Sequence, residues 1–241
     1  MFGRETVWFF DLDNTLHDAS HAAFGPTNRA MTEYIVEHLR MGFDEASALR
    51  QHYWHHYGAT LLGLVRHHGV RAAHFLEQTH RLPELEARLR TSAHDRAVLR
   101  RLRGRKFILT NAPRAYALRV LNTLGLTGLF DGILSIEDMT MFGEHRPKPD
   151  ARMFRHVMAR LKVRPQRCVL VEDTLAHQKA AHRLGMRTVW MRRYLDGKFK
   201  GTLRDGINSG RRQAKVGVHP CHMPPYVYAR IFSLKTLRAL R

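Results

Sequence analysis

Five short apolar runs constrain this chain more than any other feature: Thr6–Phe10, Lys106–Leu109, Gly132–Ser135, Cys168–Val171 and Thr188–Met191. Each is four or five residues long, a length that suits a buried strand and is too short for a helix. Helical stretches separate the last four: Ala115–Leu124 closed by Gly125, Ala151–Leu161, and His177–Leu184 ended by Gly185, with Arg96–Arg103 ahead of them. Parallel strands need a crossover that covers the sheet, so this alternation predicts an α/β fold: a Rossmann-like parallel sheet with helices on both faces.

The first and second runs are separated by a long segment with a different rhythm, helical from about His21 to Arg90. Asn28–Leu39 carries Ala30, Met31, Tyr34, Ile35 and Leu39 at helical spacing, Ala46–Val65 continues it, and Gly69 and Pro83 mark turns. The expectation is a small α-helical cap over residues 19–92, inserted after the first strand of a core formed by 1–18 and 93–241. Near the end, Lys198–Pro225 is rich in Gly, Pro and Arg without periodicity and reads as a basic loop. Tyr226–Phe232 then reads as an edge strand and Leu234–Leu240 as a short terminal helix.

A hydrophobic share of 44% is enough for a buried core, but the formal charge of +19 is unusual. Lys198–Arg241 holds ten Lys and Arg against the single acid Asp205. Such a charge attracts anions, including nucleic acid. Before Tyr226 the tail has a single aromatic residue, Phe199, among its basic ones, so it is unlike a base-stacking platform, and nucleic acid is not the expected partner. No apolar run approaches the ~20 residues of a membrane span. Val7–Phe10 is too short for a signal-peptide core, so the expected location is cytoplasmic. Cys168 and Cys221 form no redox or zinc motif, and no sequence feature speaks to oligomeric state.

The chemistry concentrates where strands end. Asp11 and Asp13 follow the first strand two residues apart, so in extended chain they point the same way. Two carboxylates in one cavity imply a metal or a shared proton, unless the pair is simply a solvated acidic turn. The second run ends in Thr110-Asn111, a hydroxyl and backbone N–H groups ahead of a helix, where phosphate can sit. Lys148 is held between Pro147 and Pro149 before another helix. Glu172-Asp173 follow a buried strand, where unpaired charge is costly and a cation is the natural partner. An oxygen-rich acidic site with phosphate suits Mg²⁺. Together these form a phosphoryl-transfer set: anions for a metal, a cation for phosphate charge, and a nucleophile.

The order acid pair, hydroxyl, lysine, acid pair closely resembles the four motifs of the haloacid dehalogenase superfamily, over Thr6 to about Met191. The resemblance implies Asp11 as nucleophile and Asp13 as general acid and base. It also implies Thr110 and Asn111 with Lys148 around the phosphoryl group, and Mg²⁺ held among Asp11, Asp13, Glu172 and Asp173. Where such proteins often carry Asn or Asp four residues after the last motif's Asp, this chain has His177. Within the superfamily the chain is similar to the pyrimidine 5′-nucleotidase group, through Phe10–His17, Met31–Leu39, Tyr57–Gly69 and Arg146–Asp150. That likeness implies hydrolysis of a small phosphorylated metabolite, a nucleoside monophosphate such as UMP or CMP, through an aspartyl-phosphate. Phosphates of sugars or of vitamin precursors are the alternative substrates. A dehalogenase is disfavoured by Asp13, because halide leaves without an acid. Specificity would come from the cap, where Tyr53, Tyr57, Gly58, Thr60 and Arg66 are the candidates; the two tyrosines either stack on a base or pack in the cap. His52 and His56 sit at a chelating interval but lack a third ligand nearby.

Overall fold

A computed structural model describes residues 6–90, 93–195 and 223–240. Most of the basic segment 198–225 lies outside the described residues. The chain opens with β1 (Val7–Phe10), then runs through α1 (Ala19–Ala22), α2 (Phe24–Leu39), α3 (Phe43–Tyr57), α4 (Thr60–His68), α5 (Ala72–Thr79), α6 (Leu85–Arg88) and α7 (Ala93–Arg101). There follow β2 (Arg105–Leu109), α8 (Arg114–Thr123), β3 (Gly132–Leu134), β4 (Thr140–Met141), β5 (Glu144–His145) and α9 (Ala151–Arg160). The remainder is β6 (Cys168–Glu172), α10 (Leu175–His182), β7 (Arg187–Met191), β8 (Ala229–Ile231) and a 3-10 turn at Leu234–Arg238.

Six strands form one sheet in the order β3-β2-β1-β6-β7-β8, all neighbours parallel. All four residues of β1 are buried, as expected of a central strand covered on both faces. Side chains alternate across the sheet. Trp8 and Phe10 face a core shared with Leu99 of α7, Val120 of α8 and Leu237. Val7 and Phe9 face a second core built with Met153 and Phe154 of α9 and Ala181 of α10. The predicted α/β class is therefore the observed one. The terminal elements are shorter than the sequence pattern predicts: three residues of strand in place of Tyr226–Phe232, and a 3-10 turn in place of a helix. The two-residue hairpin β4–β5 has no counterpart in the apolar pattern, because Phe142 and Gly143 at its tip turn through positive φ, a property of the backbone.

Helices α2 to α5 carry a core of their own, with Tyr34, Ile35, Tyr53, Leu64 and Phe75 buried together and Ile136 joining from the sheet side. The two ends of the inserted segment pack differently. Ala19 and Ala22 at its start, and Leu82, Leu85 and Leu89 at its finish, belong to the main core. Close packing of α3 on α4 depends on Gly63, where a Cβ would lie 2.1 Å from Cγ of Tyr53. Tyr53 cannot swing aside cheaply, being buried with its hydroxyl 2.8 Å from Nε2 of His68. Gly63→Ala is therefore expected to destabilise the protein by about 1–3 kcal/mol, measured as a lower urea midpoint; an unchanged midpoint would contradict this packing.

Candidate active site

The site is set by strand register. Phe10 pairs with Val171, so the next residues along β1 and β6, Asp11 and Glu172, come side by side at the carboxyl edge of the sheet. The Asp11 N–H donates to the carbonyl of Val171 at 2.9 Å, carrying the strand pairing one residue further. Glu172 is the last residue of β6 rather than the first of the loop. Ligands of open parallel sheets bind at this edge, where strands give way to loops and helix starts.

Lys148 comes from the loop before α9 and is drawn in by Asn111. The Asn111 side-chain amide donates to the Lys148 carbonyl at 2.9 Å and accepts the Lys148 N–H at 2.9 Å. Asn111 is thus used to fix Lys148, a role its sequence position did not reveal. The buried ammonium of Lys148 then donates to Oδ1 of Asp11 at 2.7 Å and to Oε2 of Glu172 at 2.8 Å. His177 places Nδ1 3.1 Å from the same Glu172 oxygen, and the Thr174 N–H donates to Oε1 at 3.1 Å. Indole Nε1 of Trp190 holds the Asp173 carbonyl at 2.9 Å.

Among the described residues one acidic cluster could hold a metal: Asp11, Glu172 and Asp173, each offering a ligand atom within 4.8 Å of the others. Three carboxylates against one ammonium leave two formal negative charges in a buried site. Burial, with the nearby charge of Glu172, pushes Asp11 up to about 8 although Lys148 pulls the other way. Burial, then Glu172 and Asp11, pushes Asp173 up to about 9. Burial also opposes the charge on Glu172, but Lys148 and His177 hold it well below the usual carboxylate range. Burial disfavours the Lys148 charge too, and Asp11 and Glu172 more than offset that. The net result is one lysine shared between Asp11 and Glu172 in a site where burial opposes the charge of all three acids. A divalent cation would restore neutrality, so the donor set fits Mg²⁺: oxygen ligands, carboxylates foremost.

Asp13 stands apart from that cluster. Its Oδ1 accepts from the Tyr116 hydroxyl at 2.8 Å and lies 2.9 Å from Nε2 of the fully buried His17. Its side chain is tied to a tyrosine and a histidine rather than to the acidic cluster. Its loop is fixed by Asn14, which takes φ 56 and exchanges hydrogen bonds with Ser20 at 2.9–3.0 Å. Asn accepts the left-handed region more readily than most residues. Sequence reasoning missed Tyr116 and His17. A histidine four residues after Asp13 was a visible hint, but Tyr116 lies 103 residues from Asp13 and has no local signal.

Thr110 is buried at the end of β2, its Oγ1 accepting the Ala112 N–H at 3.1 Å, which leaves the hydroxyl proton to donate. The specificity candidates separate into three groups. Tyr53 packs inside the helical unit, and Thr60 spends its hydroxyl on the Arg50 carbonyl at 3.0 Å. Tyr57 pairs with His67 and lies 6.0 Å from the Arg66 guanidinium. Gly58, at φ 80, faces the lysine loop, since a Cβ there would lie 3.8 Å from Cδ of Pro149.

This arrangement has relatives. The chain is 28% identical over 160 residues to Phosphate metabolism protein 8 of Saccharomyces cerevisiae, covering 61% of this chain and 49% of that protein. It is 33% identical over 79 residues to Validoxylamine A 7′-phosphate phosphatase of Streptomyces hygroscopicus subsp. limoneus, covering 33% and 35% respectively. The chain thus spans about half or less of the length of these curated relatives. In fold it is similar to a HAD phosphatase from Thermococcus onnurineus, with a TM-score of 0.58 at 19% identity over 98% of this chain and 96% of that one. No helix among the described residues is long and apolar enough to cross a membrane. The model of haloacid dehalogenase-like hydrolases matches residues 6–185, which takes in Asp11, Asp13, Thr110, Lys148, Glu172 and Asp173, and the chain belongs to that family.

Proposed function

We propose that the protein is a Mg²⁺-dependent phosphomonoester hydrolase working through an aspartyl-phosphate on Asp11, with residues 19–92 acting as a cap over the site. The observation that carries the reading is the meeting of Lys148, Asp11, Glu172 and Asp173 in one buried cluster. The phosphatase named among its curated relatives supports the same reaction class. Asp11, Glu172 and Asp173 would hold the ion, which when bound supplies positive charge against the phosphoryl oxygens and the carboxylates around them.

The residues of the chain then divide the work. Oδ1 of Asp11 is taken by Lys148, so Oδ2 attacks phosphorus in line while the bond to the leaving oxygen breaks. Asp13 delivers a proton to that oxygen. Water then attacks the phosphorus, gives its proton to Asp13, and the phosphorus–Asp11 bond breaks. Two unit charges about 4 Å apart repel by ~4 kcal/mol at an effective dielectric of ~20. The Lys148 ammonium, with the Thr110 hydroxyl, offsets that repulsion as nucleophile and phosphate approach.

Within this reaction a pyrimidine nucleoside monophosphate is the substrate that the sequence resemblance supports, through stretches in the cap and in the Lys148 loop. Contact of Gly58 with that loop supports a cap seated close to the transferring group. The relative acting on a phosphorylated validoxylamine favours a second reading, a sugar-like phosphate.

A Mg²⁺-supplemented screen of nucleoside, sugar and cofactor monophosphates is expected to show turnover that chelator abolishes, with UMP or CMP preferred. Preference for sugar phosphates would replace the nucleotide reading, and turnover unaffected by chelator would remove the metal. Asp11→Asn is expected to lower kcat by at least ~10²; substantial turnover by that variant would contradict the nucleophile. Because the folded values of Asp11 and Asp173 lie above the ordinary 3.8, their protonated forms favour the folded state. Metal-free protein is then expected to lose thermal stability as pH rises from about 4 toward 8–9. Mg²⁺ should flatten that decline; a Tm that falls equally with and without the ion would count against the site.

A further inference from the structure

We infer that Tyr116 and His17 are positioning residues for Asp13: they hold one of its carboxylate oxygens so that the other is presented to the leaving group. The inference rests on the phosphatase reading above and goes beyond it, since the fold motifs name Asp13 but not what aims it. Three facts carry it. Both donors converge on the same atom, Oδ1, from the Tyr116 hydroxyl at 2.8 Å and the His17 Nε2 at 2.9 Å. Oδ2 has no protein hydrogen-bond partner among the described residues. Both partners are buried, Tyr116 at 2% and His17 at 0% exposure, whereas the Asp13 side chain keeps 21%. Two rigid rings therefore grip an acid whose other side is open.

The chemistry of the two rings fits a holding role better than a proton-moving one. A carboxylate oxygen can only accept, so the short contact assigns the His17 hydrogen to Nε2. Among the described residues its buried Nδ1 has no hydrogen-bond partner. Burial, then the charge of Asp13 and the hydrogen bond to it, raises Tyr116 far above the ordinary phenol value, so it stays a neutral donor. Helix α8, which carries Tyr116, is anchored in turn. Arg119, one turn further on, donates to the carbonyls of Arg81 at 2.6 Å and Leu82 at 3.0 Å. The grip is also local to one end of the carboxylate. With Oδ1 fixed by two donors, the carboxylate plane is set, and the proton that breaks the ester bond travels from Oδ2 to the departing oxygen.

A positioning role of this kind is visible in leaving-group dependence, which a general loss of structure does not alter. An alkyl phosphate releases a strongly basic alkoxide and needs the Asp13 proton; 2,4-dinitrophenyl phosphate releases a stable phenolate and hardly needs it. Because kcat/KM reports steps up to leaving-group departure, we expect Tyr116→Phe to lower it about tenfold or more on the alkyl ester and less than about threefold on the dinitrophenyl ester. Phe keeps the ring, so packing is retained. Asp13→Asn should show the same selectivity with a larger loss, and His17→Gln, which can keep a donor near Oδ1, a smaller one. Equal losses on both esters, or none on either, would overturn the positioning role while leaving the phosphatase reading intact. A wild-type protein inactive on both esters in Mg²⁺ would instead be a failure of that reading, and the inference would fall with it.

Discussion

One buried ammonium organises this site. Lys148 bridges Asp11 on one strand exit and Glu172 on the neighbouring one, and its own loop is pinned by Asn111 from a third. Removing charged groups from water is costly unless they are paired and hydrogen-bonded. The fold meets that cost in part, with one ammonium shared between Asp11 and Glu172. Three carboxylates sharing one ammonium leave the site short of positive charge, which a divalent cation would supply. The β1–β6 register makes this possible, because it puts the two acidic loops next to each other before any side chain is chosen.

The carboxylates are separated by environment, which is how one cavity can run two kinds of acid chemistry. Asp11, Glu172 and Asp173 share a charge-dense pocket, while Asp13, two residues from Asp11, is turned toward Tyr116 and His17. Asn14 makes that turn sustainable by taking the left-handed backbone and tying the loop to the start of α1. The helical unit α2–α5 has its own core, and Gly58 lies near the lysine loop, where an added Cβ would come within 3.8 Å of Cδ of Pro149.

Much of this was legible in the chain. The strand exits announced themselves because each apolar run stops at a polar residue, and the alternation with helices left a parallel sheet as the consistent architecture. Asp11, Thr110, Lys148, Glu172 and Asp173 all fall at that edge. What could not be read were relations across long separations or through backbone geometry. Tyr116 meets Asp13 only because α8 crosses the face of β1, and nothing near residue 116 encodes that. Asn111 follows a strand, but nothing local shows that its side chain both donates to and accepts from the Lys148 backbone. The tip of β4–β5 depends on a positive φ at Phe142, which a bulky residue does not advertise. Of the two openings left to Tyr53, stacking on a base or packing in the cap, the structure shows packing against α4, and Thr60 bonds the Arg50 carbonyl.

The central claim, that a divalent cation completes the charge of the Lys148 cluster, is tested most directly by calorimetric titration of the metal-free protein with Mg²⁺. The account predicts one ion bound per chain, and binding weakened at least about tenfold in Asp173→Asn. No binding, or an affinity the same in that variant as in the wild type, would contradict it.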